Sequence, residues 1–157
     1  MEDRTLEAKQ KLIHQLDEAR DTLLAVLANL DTQTEIYPSW KLKDLLAHLS
    51  GWDEATIASL QTHIGGGEPL TPAARGIDFY NAESVATRGA LSYEQVAKEL
   101  NVTRDRLKAT ILDIPADEFE QPLVYAWGPS GSVAELVAVF VHHEKAHAKE
   151  IQKLFKK

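Results

Sequence analysis

Two histidines stand four residues apart in the run His143-Glu144-Lys145-Ala146-His147. On a helix, residues at i and i+4 project in the same direction, so two imidazoles at this spacing can share one divalent ion. The run also matches the His-Glu-x-x-His pattern of zinc peptidases. That arrangement needs a third ligand downstream and an adjoining sheet, and few residues follow His147. The spacing therefore points to a bundle site instead, with a further ligand on a facing helix. His48 is the candidate for that place. Three imidazoles leave positions open for water or substrate, which lets an ion act as a Lewis acid or lower the pKa of bound water.

Helical geometry, at about 100° per residue, tests this placement. Counted from Phe140, one face holds Val133, Leu136, Val137, Ile151 and Leu154 together with His143, His147 and Glu144, whereas His142 points outward. Counted from Leu45, Leu49, Trp52, Thr56 and Leu60 turn inward, and His48 lies at the edge of that face beside Trp52. A polar ring on an apolar stripe costs stability unless it is satisfied. A hydrogen-bonded structural role remains the alternative for each of the three. His14 and His63 are assigned no chemistry.

Other side chains qualify for a pocket. Arg20 falls near the centre of the first apolar stripe, between Ile13 and Leu24. It either pairs with Asp17 or a carboxylate on a neighbouring helix, or anchors a substrate carboxylate. Glu144 either orients a histidine or acts as a general base, unless it forms an ordinary ion pair. Asp44 reads as a helix cap. Trp52, Tyr80, Asn81, Tyr125 and Trp127 are the candidates for substrate contact, as aromatic and amide groups suit small-molecule recognition. The GPSGS run has neither a Lys nor a preceding strand, so it is no phosphate loop.

Four long helices must position these groups. The apolar period predicts helices from about Asp3 to Leu30, Lys41 to His63, Tyr93 to Asp113 and Val133 to Phe155. Ser92 with Gln95, and Ser132 with Glu135, are capping boxes that open the third and fourth. Lys149, Lys153, Lys156 and Lys157 complement the dipole at the end of the fourth. A short helix is expected from Asp78 to Arg88, capped by Asp78, and one turn from Pro115 through Phe119. Gly65 to Ile77 reads as a long loop, a candidate lid over the pocket. Pro38 turns Tyr37 away from helix. Only LVYAW is strand-like. The expected fold is an all-α four-helix bundle in a single domain, with the long loop and short helix between helices 2 and 3.

The composition narrows the function. The 157 residues hold 17 Lys+Arg against 24 Asp+Glu, a net charge of −7 with no basic block, which argues against nucleic-acid binding. The absence of Cys excludes disulfides, thiolate catalysis and Cys-ligated metals. There is no apolar run long enough for a membrane span and no signal-peptide pattern, so a cytoplasmic protein is expected.

The run SWKLKDLLAHLSGWD resembles the second-helix motif of the DinB-like (YfiT-like) superfamily, and HEKAHAKEI resembles its fourth-helix signature. The middle run GIDFYNAESVATRGALSYEQVAKEL resembles the ClbS/DfsB branch in particular. The resemblance implies an up-down-down-up bundle, often a homodimer, with nickel or zinc held by His48, His143 and His147. Lys41 departs from the Ser or Thr that often caps the second helix in the family, and the ClbS-like branch does not uniformly keep the histidines. The implied activities are diverse. They include thiol-dependent transfer or isomerisation with bacillithiol, mycothiol or glutathione, small-molecule hydrolysis in detoxification or stress, and ring opening in a genotoxin without a metal. A non-enzymatic small-molecule-binding dimer is the remaining alternative.

Overall fold

The computed structural model describes residues 2–66 and 71–155. Its long helices are α1 (Glu2–Leu27), α2 (Leu42–Gly65), α4 (Tyr93–Asp113) and α6 (Val133–Leu154). Two short helices, α3 (Ile77–Ala86) and α5 (Ala116–Phe119), join them. Both expected capping boxes form: Ser92 accepts from the Gln95 N–H and Ser132 from the Glu135 N–H. Asp44 caps α2 by accepting from the Lys41 N–H at 2.9 Å, in place of a hydroxyl cap. α3 departs from expectation, since Gly76 rather than Asp78 occupies its cap position.

Long-range bonds set the helix directions. Lys43 near the start of α2 donates to the Gly89 and Leu91 carbonyls just before α4, and His63 near its end meets the Glu118 carbonyl just beyond α4. α2 and α4 are therefore parallel. Lys9 near the start of α1 donates to the Leu112 and Ile114 carbonyls at the end of α4, so α1 runs against α4. His48 and Trp52 of α2 meet His147 and Phe140 of α6 in reversed order, so those two are antiparallel. The bundle is up-down-down-up, with the α2–α4 and α1–α6 pairs packed most extensively.

Two tiny antiparallel hairpins sit at opposite ends of the bundle, one where α1 passes into α2 and one just before α6. The strand-like LVYAW run contains the first strand of the second, whereas the first hairpin was not anticipated. β1 (Glu35–Tyr37) pairs with β2 (Trp40–Lys41), and β3 (Leu123–Val124) with β4 (Ser130–Gly131). The first turns through Pro38 and Ser39, the latter at φ 70°. Proline followed by a positive φ is the pattern of a type II turn, and it projects Tyr37 and Trp40 toward the bundle.

The core divides into two apolar clusters. One holds Leu12, Leu16, Trp52, Leu107, Ile111 and Phe140, and the other Leu23, Leu45, Leu49, Leu100, Ala148 and Ile151. On every long helix a charged residue sits where one cluster gives way to the other: Arg20, Asp53, Arg104 and Glu144. All four are at most 5% exposed. Arg104 donates to both Asp53 oxygens at 3.1 Å and to Glu144 at 2.9 Å, while Arg20 donates to Glu144 and, at 3.4 Å, to Asp53. Two positive and two negative groups leave the layer neutral, as buried charge requires.

The long connection is partly folded. Pro72–Arg75 forms a 3-10 turn that buries Ala73 in the core. Residues 67–70, the middle of the expected lid, lie outside the described residues, as do Lys156 and Lys157. α3 is clamped against α2, where Gly51 faces Ser84 with no room for a side chain: a Cβ there would fall 2.6 Å from that of Ser84. Tyr80 donates to the Gly51 carbonyl at 2.6 Å, and Arg88 bridges Glu54 and Glu99.

Candidate metal centre

The edge of the α2–α6 contact brings three imidazoles together. The Nε2 of His143 lies 3.1 Å from Nε2 of His48 and 2.9 Å from Nε2 of His147. His143 and His147 reach the same point because they are one turn apart on α6, and His48 meets them because α2 runs the opposite way. Among the described residues this is the group of three or more candidate ligands whose donor atoms lie within 4.8 Å of one another.

Burial makes all three histidines poor bases. His48, 4% exposed, is lowered from 6.5 to about 3 by desolvation and then by the neighbouring histidines. His143 is lowered to about 4 by desolvation and by His147 and His142. His147 is also lowered, by desolvation, against the opposing field of Glu150. The rings are thus neutral at pH 7 and need lose no proton to coordinate an ion.

The cluster passes a chemical test for a cation. Three neutral rings facing one another through Nε2 cannot all be satisfied, because each such nitrogen carries either one hydrogen or one lone pair. A tetrahedral ion with Zn–N near 2.0–2.1 Å separates its nitrogens by roughly 3.3 Å, close to the spacings here. Tyr37 supports the arrangement from outside. Its hydroxyl lies 2.7 Å from Nδ1 of His147, and accepting the Nδ1–H leaves the Nε2 lone pair facing the other rings. Desolvation and Glu150 push the Tyr37 hydroxyl up to about 12, so it stays protonated. Trp40 packs on the His48 ring at 5.1 Å between centroids.

Two pockets of about 370 and 360 Å³ open onto this cluster and share His48, His143, Asn81 and Ala146. The first is bounded by Tyr37, Trp40, His147 and Glu150, the second by Trp52, Ile77, Trp127, Val139, Phe140 and the exposed His142. Asn81 accepts from the Trp52 indole N–H at 2.6 Å and so sits between them. A larger groove of about 940 Å³ lies between the C-terminal parts of α1 and α6 and contains none of these residues.

The remaining candidates divide cleanly. Trp52, Asn81 and Trp127 line the second pocket. Tyr80 and Tyr125 do not, and their hydroxyls are spent on the Gly51 and Ser132 carbonyls. Tyr80 packs on Trp52 at 4.8 Å and Tyr125 on Trp127 at 5.2 Å, so they support the wall rather than form it. Arg20 follows the pairing alternative, with its carboxylates Glu144 and Asp53 on neighbouring helices, and at 5% exposure it is not placed to anchor a substrate carboxylate. Glu144, 1% exposed, is held by two arginines in the buried layer and does not join the histidines. The sequence match to His-Glu-x-x-His therefore lacks the free glutamate of a peptidase. Of the expected lid, Ile77 reaches the pocket.

Tyr37, Trp40 and Glu150 at the site escaped the sequence reading. Tyr37 and Trp40 lie in the short hairpin, where no helical period orders side chains. Glu150 was legible, since it follows His147 by three residues. Asp53 and Arg104, which neutralise the charges of Glu144 and Arg20, were also missed; Arg104 continues the Val96–Leu100 stripe of α4 by four residues.

Comparison with known proteins agrees with the helical-bundle fold. The DinB superfamily model matches residues 15–151. No curated protein matches the chain. Among solved structures, a mycothiol-dependent maleylpyruvate isomerase superposes with a TM-score of 0.74 at 15% identity, over 91% of this chain and 60% of its own. This chain thus spans well under two thirds of that enzyme. A protein from Streptococcus pneumoniae gives 0.75 at 16% identity, over 94% of this chain and 90% of its own. An uncharacterised protein from Clostridium difficile 630 gives 0.75 at 17% identity, over 94% and 95%.

Proposed function

This chain belongs to the DinB superfamily, and on that footing we propose that it is a metal-dependent small-molecule enzyme that uses a low-molecular-weight thiol for group transfer or isomerisation. The observation that carries the reading is the convergence of three neutral imidazole nitrogens at 2.9 and 3.1 Å at the mouth of two pockets. His48, His143 and His147 would hold the ion, nickel or zinc, which suit such a nitrogen set among several metals. When bound, that ion supplies Lewis acidity, which favours the deprotonated form of a coordinated thiol or water.

The chain's own residues do the rest. Tyr37 holds the tautomer of His147. Asn81 orients the Trp52 indole between the pockets. The chain has no Cys, so a reacting thiol must arrive from solution. A thiol, with an ordinary pKa near 8.5, needs less help from a protein base than water does. This suits a site whose nearby Glu144 is tied to arginines. The fold likeness to a thiol-dependent isomerase supports the same choice. Hydrolysis is the second reading, favoured by Glu150, the carboxylate that lines the first pocket among the described residues. A ClbS-type metal-independent reaction predicts that turnover persists after exhaustive chelation. A cytoplasmic homodimer completes the proposal, with light scattering as its check; no described helix is long and apolar enough to cross a membrane.

Elemental analysis of the purified protein tests the reading. About one equivalent of nickel or zinc is expected, lost in His48→Ala and His147→Ala while the helical circular dichroism is retained. A protein that binds no metal after reconstitution at neutral pH, or a His147→Ala variant with full metal affinity, overturns it.

A further inference from the structure

The walls of the two pockets carry information about the substrate beyond its reacting head. Among the described residues, neither pocket is lined by a Lys or Arg. Arg20 and Arg104 lie in the buried layer nearby, but Asp53 and Glu144 bind them and cancel their charge. The side chain with a fixed charge on either wall is Glu150, which is negative. The second pocket is aromatic and apolar: Trp127 stands edge-on to Trp52 at 5.3 Å and to Phe140 at 5.7 Å, with Val139 and Ile77 at the rim. Its volume of about 360 Å³ admits a ring-sized group.

An ion at the histidines would attract an anionic head. A second anionic group on the same molecule, carried into the aromatic pocket, would lose its hydration and find no cation there. From this charge distribution we infer that the substrate has an uncharged aromatic or aliphatic body, seated between Trp52, Trp127 and Phe140, and no carboxylate remote from its reacting head. The inference rests on the three-histidine reading above and adds the class of molecule. It separates this chain from enzymes whose substrate carries a carboxylate at each end. It also puts an apolar wall in place of the Arg20 carboxylate anchor that was one of two alternatives for that residue.

The test uses three hydroxamates that share one chelating head. Acetohydroxamate has no body, benzohydroxamate has an apolar one, and 4-carboxybenzohydroxamate has the same ring with a remote charge. Titration calorimetry on the zinc-loaded protein should show benzohydroxamate binding about tenfold tighter than acetohydroxamate. The carboxylated ring should bind about tenfold more weakly than benzohydroxamate. Trp127→Ala should remove the advantage of the ring. Val139→Lys, a substitution at a position 46% exposed, should place a cation at the rim and restore most of the affinity for the carboxylated ring. Equal or tighter binding of 4-carboxybenzohydroxamate by the unmodified protein overturns the inference, as does a Trp127→Ala variant that keeps the full preference for the ring.

A metal-free comparison keeps the two readings apart. Quenching of tryptophan fluorescence in chelator-treated protein should favour p-cresol over 4-hydroxybenzoate by a similar factor. If no metal loads and no hydroxamate binds, the metal reading fails, and the cresol comparison still decides the substrate class. No preference for p-cresol refutes it.

Discussion

Glu144→Gln separates a structural glutamate from a catalytic one. The substitution keeps the side chain's shape and removes one charge from a layer that contains Arg20, Asp53, Arg104 and Glu144. Two guanidinium groups would then face a single carboxylate, with every member at most 5% exposed. Uncovering one buried charge in this way costs about 3–5 kcal/mol. That is a large share of the roughly 5–15 kcal/mol by which domains are stable. For a chain of this length the melting temperature falls by about 2–4 °C per kcal/mol, so a loss of about 10 °C is expected. The urea midpoint should fall with it at an unchanged slope. Arg20→Met with Glu144→Met removes one charge of each sign and should cost less than Glu144→Gln alone. Metal stoichiometry should survive in Glu144→Gln, because its carboxylate is not among the converging ligands. A stability loss under about 1 kcal/mol would refute the accounting for the buried layer. Activity abolished in a variant of normal stability would return Glu144 to the role of base.

Three further outcomes follow from the same contacts. Tyr37→Phe removes the partner of His147 Nδ1; metal affinity should fall about 10–100-fold by competition with a chelating dye, with no change in helicity. In metal-free protein, His48 and His143 titrate near 3 and 4, against 6.5 when unfolded. As pH falls below about 6.5 the unfolded chain takes up protons that the native one refuses, so this contribution is complete above that pH and lost progressively below it. Urea midpoints at pH 7.5 and 5.5 should show the decline, and His48→Leu should reduce it; an unchanged midpoint contradicts the burial argument. Gly51→Ala forces a methyl onto Ser84; it should lower the melting temperature and weaken benzohydroxamate more than acetohydroxamate, because α3 carries Asn81. Equal weakening of both ligands would mean that α3 does not shape the aromatic pocket.

The apolar period was enough to locate the four long helices, because a 3.6-residue repeat with Ser92 and Ser132 capping boxes is local information. The same arithmetic placed His143 and His147 on one inward face and His48 at the edge of another, before any tertiary contact was considered. It also put Arg20 and Glu144 on core faces and allowed each an ion pair, but it could not say which residues of the neighbouring helices supply the partners. Sequence order assigns a face to a residue, whereas pairing depends on which helices are neighbours and on their relative direction. Only the packed bundle brings Asp53, 33 residues from Arg20, and Arg104, 40 residues from Glu144, into one neutral layer. Packing made Arg20 and Glu144 structural groups of the buried layer and left the pocket walls, among the described residues, without a Lys or Arg. It also recruited Tyr37 across 110 residues to His147. That hairpin is ordered by a proline turn and by contact with the bundle, and neither leaves a periodic trace. The donors were legible because a helix turns regularly, while the charge around them was not, because charge is settled by neighbours in space.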